Sequence, residues 1–194
     1  MWEWLTVHGT VCQEPDGTFR VEGSRPAVIL PGSFNPLHHG HTRLAAVVAA
    51  MRGRPVAYEL SIANVDKPEL AATEVEKRLR QFLGLGAIWI TRAATFLEKS
   101  RLFPGTTFVV GYDTAARLLD AKYYQGNPAR REESLRELLA NGVHFLVGGR
   151  LDASNVFRIW DNHATPNAFA SLFTPLLEDD FRADISSTSL RSQR

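Results

Sequence analysis

Cysteine is nearly absent from this chain. Cys12 stands alone, so no internal disulfide can form, and no Cys/His set has the spacing of a zinc site. An excess of one charge is missing too. Lys and Arg number 22 against 21 Asp and Glu, a net charge of +1. That leaves no broad basic field for non-specific nucleic-acid binding, so any anion site must be local. No run is long and apolar enough to span a bilayer. The opening Met1-Trp2-Glu3-Trp4-Leu5-Thr6 lacks the basic and apolar regions of a signal peptide. These absences predict a cytoplasmic, reducing location, with neither nucleic acid nor membrane as a partner, and they specify no oligomeric state. Two common glycine signatures of nucleotide binding are also lacking: no Gly-Lys-Ser/Thr of a Walker loop and no Gly-x-Gly-x-x-Gly fingerprint.

What is present fits one α/β domain. Hydrophobic residues make up 44% and charged residues 22% of the 194, enough apolar material for one core. Short β-rich runs alternate with helical periods. Strands are predicted at 27–30, 56–62, 87–90, 107–110 and 143–147, and helices at 42–51, 73–83, 96–102, 113–119 and 132–140. Such alternation implies a doubly wound five-stranded parallel sheet with helices on both faces. The uninterrupted Ala27-Val28-Ile29-Leu30 belongs in the sheet interior. Residues 1–24 read as a small β appendage, with a hairpin turning at Glu14-Pro15-Asp16-Gly17, and residues 25–194 as the main domain. In an open parallel sheet ligands bind beyond the carboxyl ends of the strands. Those ends carry Gly32 to His41, Asn64 to Pro68, Thr91-Arg92, Gly111-Tyr112-Asp113 and Gly148-Gly149-Arg150.

The first of these, Pro31-Gly32-Ser33-Phe34-Asn35-Pro36-Leu37-His38-His39-Gly40-His41, carries the most information. It joins a buried strand to a helix start, where free backbone N–H groups and the helix dipole favour an anion. His38 and His41, spaced i, i+3, share one face of the first turn and can donate to phosphate oxygens. Gly32 permits close backbone approach, with its N–H turned to a phosphate. The stretch resembles the Gly-[Thr/Ser]-Phe-[Asp/Asn]-Pro-x-His-x-Gly-His signature of the nucleotidyltransferase superfamily, the adenylyl- and cytidylyltransferases. Ile185-Ser186-Ser187-Thr188-Ser189-Leu190-Arg191 resembles that superfamily's second signature, Ile-Ser-Ser-Thr-x-Ile-Arg. The resemblance implies a Rossmann-like fold and roles for particular residues. His38 and His41 act on the α-phosphate of ATP. Gly32, Ser33 and Phe34, with Ser187, Thr188, Arg191 and Arg150, bind ATP and its phosphates. Lys67, Trp89, Thr91, Gly111 and Asp113 face the acceptor.

Gly111-Tyr112-Asp113 resembles the Gly-x-Asp of nicotinamide and nicotinate mononucleotide adenylyltransferases, so the implied reaction is ATP plus that mononucleotide giving a dinucleotide and pyrophosphate. Mg²⁺ is implied as a cation carried by the nucleotide, and no metal site is assigned to protein residues. Asp113 reads equally as a helix cap, and Arg78 and Arg80, two apart on one helix, receive no role. Other readings stay open: a different acceptor such as phosphopantetheine or phosphocholine, a catalytically weak nucleotide-binding homologue, or an RNA-linked module sharing the histidine motif.

Overall fold

The computed structural model describes residues 1–65, 68–152, 154, 156–161 and 165–181. It opens with α1 (Trp2–His8) and a hairpin of β1 (Thr10–Gln13) and β2 (Phe19–Arg20). The main run alternates as β3 (Val28–Pro31), α2 (His39–Arg52), β4 (Ala57–Ser61), α3 (Ala72–Leu79), β5 (Ile88–Thr91), α4 (Phe96–Leu102) and β6 (Thr107–Gly111). It continues through α5 (Tyr112–Leu119), α6 (Pro128–Ala140) and β7 (His144–Gly148). A two-stranded ribbon, β8 (Arg150–Leu151) and β9 (Phe157–Arg158), and a last strand, β10 (Phe173–Pro175), follow.

The strands form one sheet in the order β10-β7-β6-β3-β4-β5-β1-β2, with β8 and β9 paired apart from it. From β3 the chain steps outward through β4 to β5, then crosses back to β6 and steps the other way through β7 to β10. The direction of winding therefore reverses between β3 and β6, and this gap is where doubly wound sheets bind ligands. β3 lies inside the sheet, between β4 and β6, as its apolar run requires. Alternate residues of each strand feed two separate cores. Leu30, Tyr58, Leu60, Ile90, Val109 and Leu146 meet Val48 of α2 and Val75 and Leu79 of α3. On the other face Ile29, Ala57, Trp89, Phe108, Val110 and Phe145 meet Ala115 and Leu118 of α5 and Leu135 and Leu138 of α6. Local chemistry fixes the helix starts. Thr95 and Glu98 form a reciprocal capping box on α4, and the Asn127 side chain caps α6 just before Pro128.

The five predicted parallel strands are all found, and the sheet extends beyond them at both margins. Phe173–Pro175 adds a parallel strand beside β7. On the far side the N-terminal hairpin is built into the sheet, since β1 pairs antiparallel with β5, Cys12 opposite Trp89. A helix precedes that hairpin. Its seven residues are too few to show a period, and only Leu5 is buried. The predicted 73–83 helix is α3 followed by a 3₁₀ turn over Arg80–Phe82. Among the described residues, no helix is long and apolar enough to cross a membrane. Both outermost strands are short: β2 has two residues, and β10 has three and ends in Pro175.

Trp89 lies in the middle of this packing, 1% exposed, edge-on to Phe103 with ring centroids 5.5 Å apart. The guanidinium carbons of Arg20 and Arg25 stand 5.1 and 5.0 Å from its ring centroid. Truncating a buried indole removes its transfer energy and leaves a cavity, so Trp89→Ala is expected to cost about 3–5 kcal/mol. Urea unfolding of both proteins measures this, and a loss below about 1 kcal/mol would contradict a core role.

Candidate functional site

A cleft of about 750 Å³ opens at the carboxyl ends of β3 and β6, at the reversal of winding. Its size lies within the usual range for small-molecule sites. One wall is the start of α2, with His38, Gly40 and His41. The opposite wall brings Glu59 of β4 together with Phe96 and Lys99 of α4. Gly111, Asp113, Gly148, Gly149 and Arg150 close the end nearer β7.

The loop from Gly32 to His38 is held from below. Phe34 is fully buried, with a positive φ of 45° that costs energy for a residue with a large side chain. Its ring meets His41, Tyr58 and Phe82 edge-on, at centroid distances of 5.2, 5.7 and 5.0 Å. Gly32 makes room for that ring, because a Cβ at this position would stand 2.7 Å from it. The Gly32 N–H donates to the Glu59 carbonyl at 2.9 Å, continuing the ladder between β3 and β4. Gly32 therefore serves through its missing side chain, and its amide is not a phosphate donor. Phe34 likewise supports the loop instead of lining the cleft. The exposed Ser33 contributes its carbonyl, which accepts from Arg78 Nη1 at 2.9 Å. Gln81 completes the clamp: its Nε2 donates to the Phe34 carbonyl at 2.9 Å, and its Oε1 accepts from the Leu37 N–H at 2.8 Å.

His38 occupies the N-cap of α2 in extended conformation. Its backbone N–H donates to Nδ1 of His41 at 3.3 Å, and the two rings stack with centroids 3.8 Å apart. A ring nitrogen that accepts cannot carry the proton, so neutral His41 bears its proton on Nε2 as a hydrogen-bond donor. Burial, and secondarily the neighbouring His38, push the His41 pKa down to about 4. Burial followed by His39 lowers that of His38. At neutral pH the pair is thus an uncharged donor set at a helix start, where first-turn N–H groups lack intrahelical acceptors. His39 is exposed, as expected for the residue between them.

At the far end, Arg150 Nη1 lies 3.2 Å from Asp113 Oδ1, and its guanidinium covers the Tyr112 ring at 5.5 Å. Gly111, not Asp113, is the N-cap of α5, so Asp113 is a first-turn carboxylate facing an exposed cation. Gly149 carries the close approach of the β8–β9 ribbon, since a Cβ there would stand 2.6 Å from the Phe157 ring.

His38, His41, Gly32, Gly111, Asp113 and Arg150 converge on the cleft. Trp89 and Thr91 do not line it: Trp89 is core, and buried Thr91 donates its hydroxyl to Glu59. Both sit on β5, where a strand-end side chain turned into the sheet looks in sequence like one turned outward. Lys67, Ser187, Thr188 and Arg191 lie outside the described residues. Sequence reasoning passes over Glu59, Lys99 and Gln81 and gives Arg78 no role. Glu59 has a legible signal, an acid inside an otherwise apolar strand run. Arg78 has none, because its partner is 45 residues away.

The sequence model of the cytidylyltransferase-like family matches residues 29–193. The chain is also 29% identical over 128 residues to a protein of Schizosaccharomyces pombe with the provisional name nicotinamide mononucleotide adenylyltransferase. That match covers 59% of this chain and 48% of the yeast protein, so the chain spans about half the length of the curated relative it matches.

Two outcomes follow from the loop and the histidines. With its folded pKa below the ordinary 6.5, His41 takes up a proton more readily unfolded than folded. Its contribution to stability is present above pH 6.5 and is lost as pH falls toward 4. An NMR titration is expected to show the His41 ring neutral at pH 5, and His41→Gln to flatten the acid limb of stability against pH. Arg78→Ala strands the Ser33 carbonyl and the Glu74 carboxylate and is expected to cost about 1–3 kcal/mol. Amide exchange should then quicken from Ser33 to Leu37 while β4 stays protected. Equal exchange in both proteins would remove Arg78 as the loop's anchor.

Proposed function

This chain belongs to the cytidylyltransferase-like family, and we propose that it transfers AMP from ATP to the phosphate of a mononucleotide, with release of pyrophosphate. Nicotinamide or nicotinate mononucleotide is the acceptor favoured. The observation that carries this reading is the stacked His38–His41 pair, fixed at the start of α2 inside the cleft. The acceptor phosphate oxygen forms a bond to the α-phosphorus, and the bond from that phosphorus to the pyrophosphate oxygen breaks. Such transfer needs positioning and stabilisation of spread negative charge, with no covalent intermediate on the protein. His41 suits the task because its donor nitrogen is set by the bond at Nδ1 and its burial keeps it neutral before substrate enters.

Arg150 offers a cation at the far end of the same cleft. Ser187, Thr188 and Arg191 enter this reading as additional phosphate contacts. Among the described residues no group of three or more His, Cys, Asp or Glu side chains could hold a metal. The resemblance implies Mg²⁺ as a cation carried by the nucleotide, and such a cation would supply neutralisation of charge on the leaving pyrophosphate. The acceptor assignment is supported by Gly111 and Asp113 at the cleft and by the name of the yeast relative.

Removing one preorganised donor from a charge-stabilising site typically lowers turnover by about 10²–10³. His38→Ala and His41→Ala are each expected to do so in an assay of pyrophosphate release, with thermal unfolding as the control. Near-wild-type turnover by both folded variants would remove the histidines from the chemistry.

A further inference from the structure

We infer that the buried Glu59–Lys99 pair in the cleft wall is a recognition site for an uncharged carboxamide, so that the acceptor taken is the amide form of the mononucleotide and not the acid. This rests on the reading of the cleft as a mononucleotide site and adds which base it accepts. Glu59 is 0% exposed and Lys99 6%, yet both line the cleft. Lys99 Nζ lies 2.6 Å from each carboxylate oxygen of Glu59. Thr91 Oγ1 donates to Glu59 Oε1 at 2.6 Å and accepts from the Ala93 N–H at 3.2 Å. The carboxylate is therefore held in one orientation by groups from β5 and α4. A buried ion pair adds little stability over an apolar pair of the same shape, so stability alone gives no reason for one at this point.

Its chemistry indicates what it recognises. An ammonium has three N–H donors, and two suffice for the bonds to Glu59. A carboxylate has about four acceptor positions, of which Lys99 and Thr91 take three. Within these bonds the pair keeps one donor and one acceptor unused, with no net charge. A carboxamide presents the complement, a carbonyl acceptor beside an N–H donor. A carboxylate presents two acceptors and a negative charge, which meets Glu59 with repulsion and leaves the Glu59 acceptor unanswered. A phosphate is disfavoured for the same reason.

The placement agrees. Glu59 is level with Pro31 in the ladder, and its carbonyl anchors the Gly32 amide, so the pair stands beside the root of the loop. Its side chain shares a face with Trp89, the α4 face of the sheet, whereas His41 packs on Phe34 in the core of the other face. A nucleotide whose phosphate meets the histidines can turn its base toward Glu59 and Lys99.

The test compares nicotinamide mononucleotide with nicotinate mononucleotide on the full chain at saturating ATP. Wild type is expected to favour the amide in kcat/KM by at least about tenfold, since sites built to hydrogen-bond a substrate group reject mismatched analogues by as much as about 10⁴–10⁵. Glu59→Gln is expected to bring the two acceptors near parity through the acceptor KM, with the ATP KM unmoved. Because that change leaves a buried ammonium without its counter-charge, the double variant Glu59→Gln, Lys99→Met is made as well, with the same loss of preference expected. Equal or better use of the acid by wild type would overturn the inference. So would variants that move only the ATP KM, which would place adenine at the pair. If neither mononucleotide turns over, calorimetry decides. Selective binding of the amide form upholds the recognition site while the proposed activity fails, and binding of neither overturns both.

Discussion

The ring of Phe34 determines the shape of the site. It is buried under the turn that leaves β3, and the chain reaches it only by adopting a positive φ at Phe34 and by having no side chain at Gly32. Once the ring is seated among Tyr58, Phe82 and His41, the loop above it has one path. His41 is pressed against the ring and His38 stacks on His41. The electrostatic character of the histidines follows from this packing, since burial is the largest cause of the low pKa at each. A hydrophobic contact thus sets the protonation state of the polar groups in the cleft.

The strand after the loop contributes a second layer of control. Leu70 returns to β4 through a bond from its N–H to the Ile62 carbonyl, and α3 starts immediately afterward. At the end of that helical segment Arg78 and Gln81 hold the Ser33 and Phe34 carbonyls. Arg78 and Gln81 thus tie the loop after β3 to the α3 segment.

Most of the fold is legible in the sequence because it depends on local signals. The apolar runs of β3, β6 and β7 lie within a residue of their predicted bounds, and α4 matches its range, since Thr95 and Glu98 announce its start. The site is legible where a motif and its setting coincide, as at His38 and His41. Elsewhere the sequence is ambiguous for a physical reason. A glycine after a strand reads alike whether its amide faces a ligand or its bare Cα admits a ring, and at Gly32 packing decides for the ring. Trp89 and Thr91 end a strand in sequence, but pairing of β1 along β5 covers that edge and turns both into interior residues. Arg78 and Gln81 act on carbonyls more than forty positions away, which no window of sequence connects.

The two margins of the sheet have a consequence for assembly. A long, flat, unpaired strand is a template on which another chain can extend a sheet. Here one margin is the two-residue β2, braced by the Arg20–Glu14 ion pair, and the other is the three-residue β10, closed by a proline that has no N–H to give. Neither offers enough consecutive hydrogen-bonding groups to seed strand addition. Among the described residues the sheet thus ends in two short strands, each with few consecutive backbone groups open to strand addition.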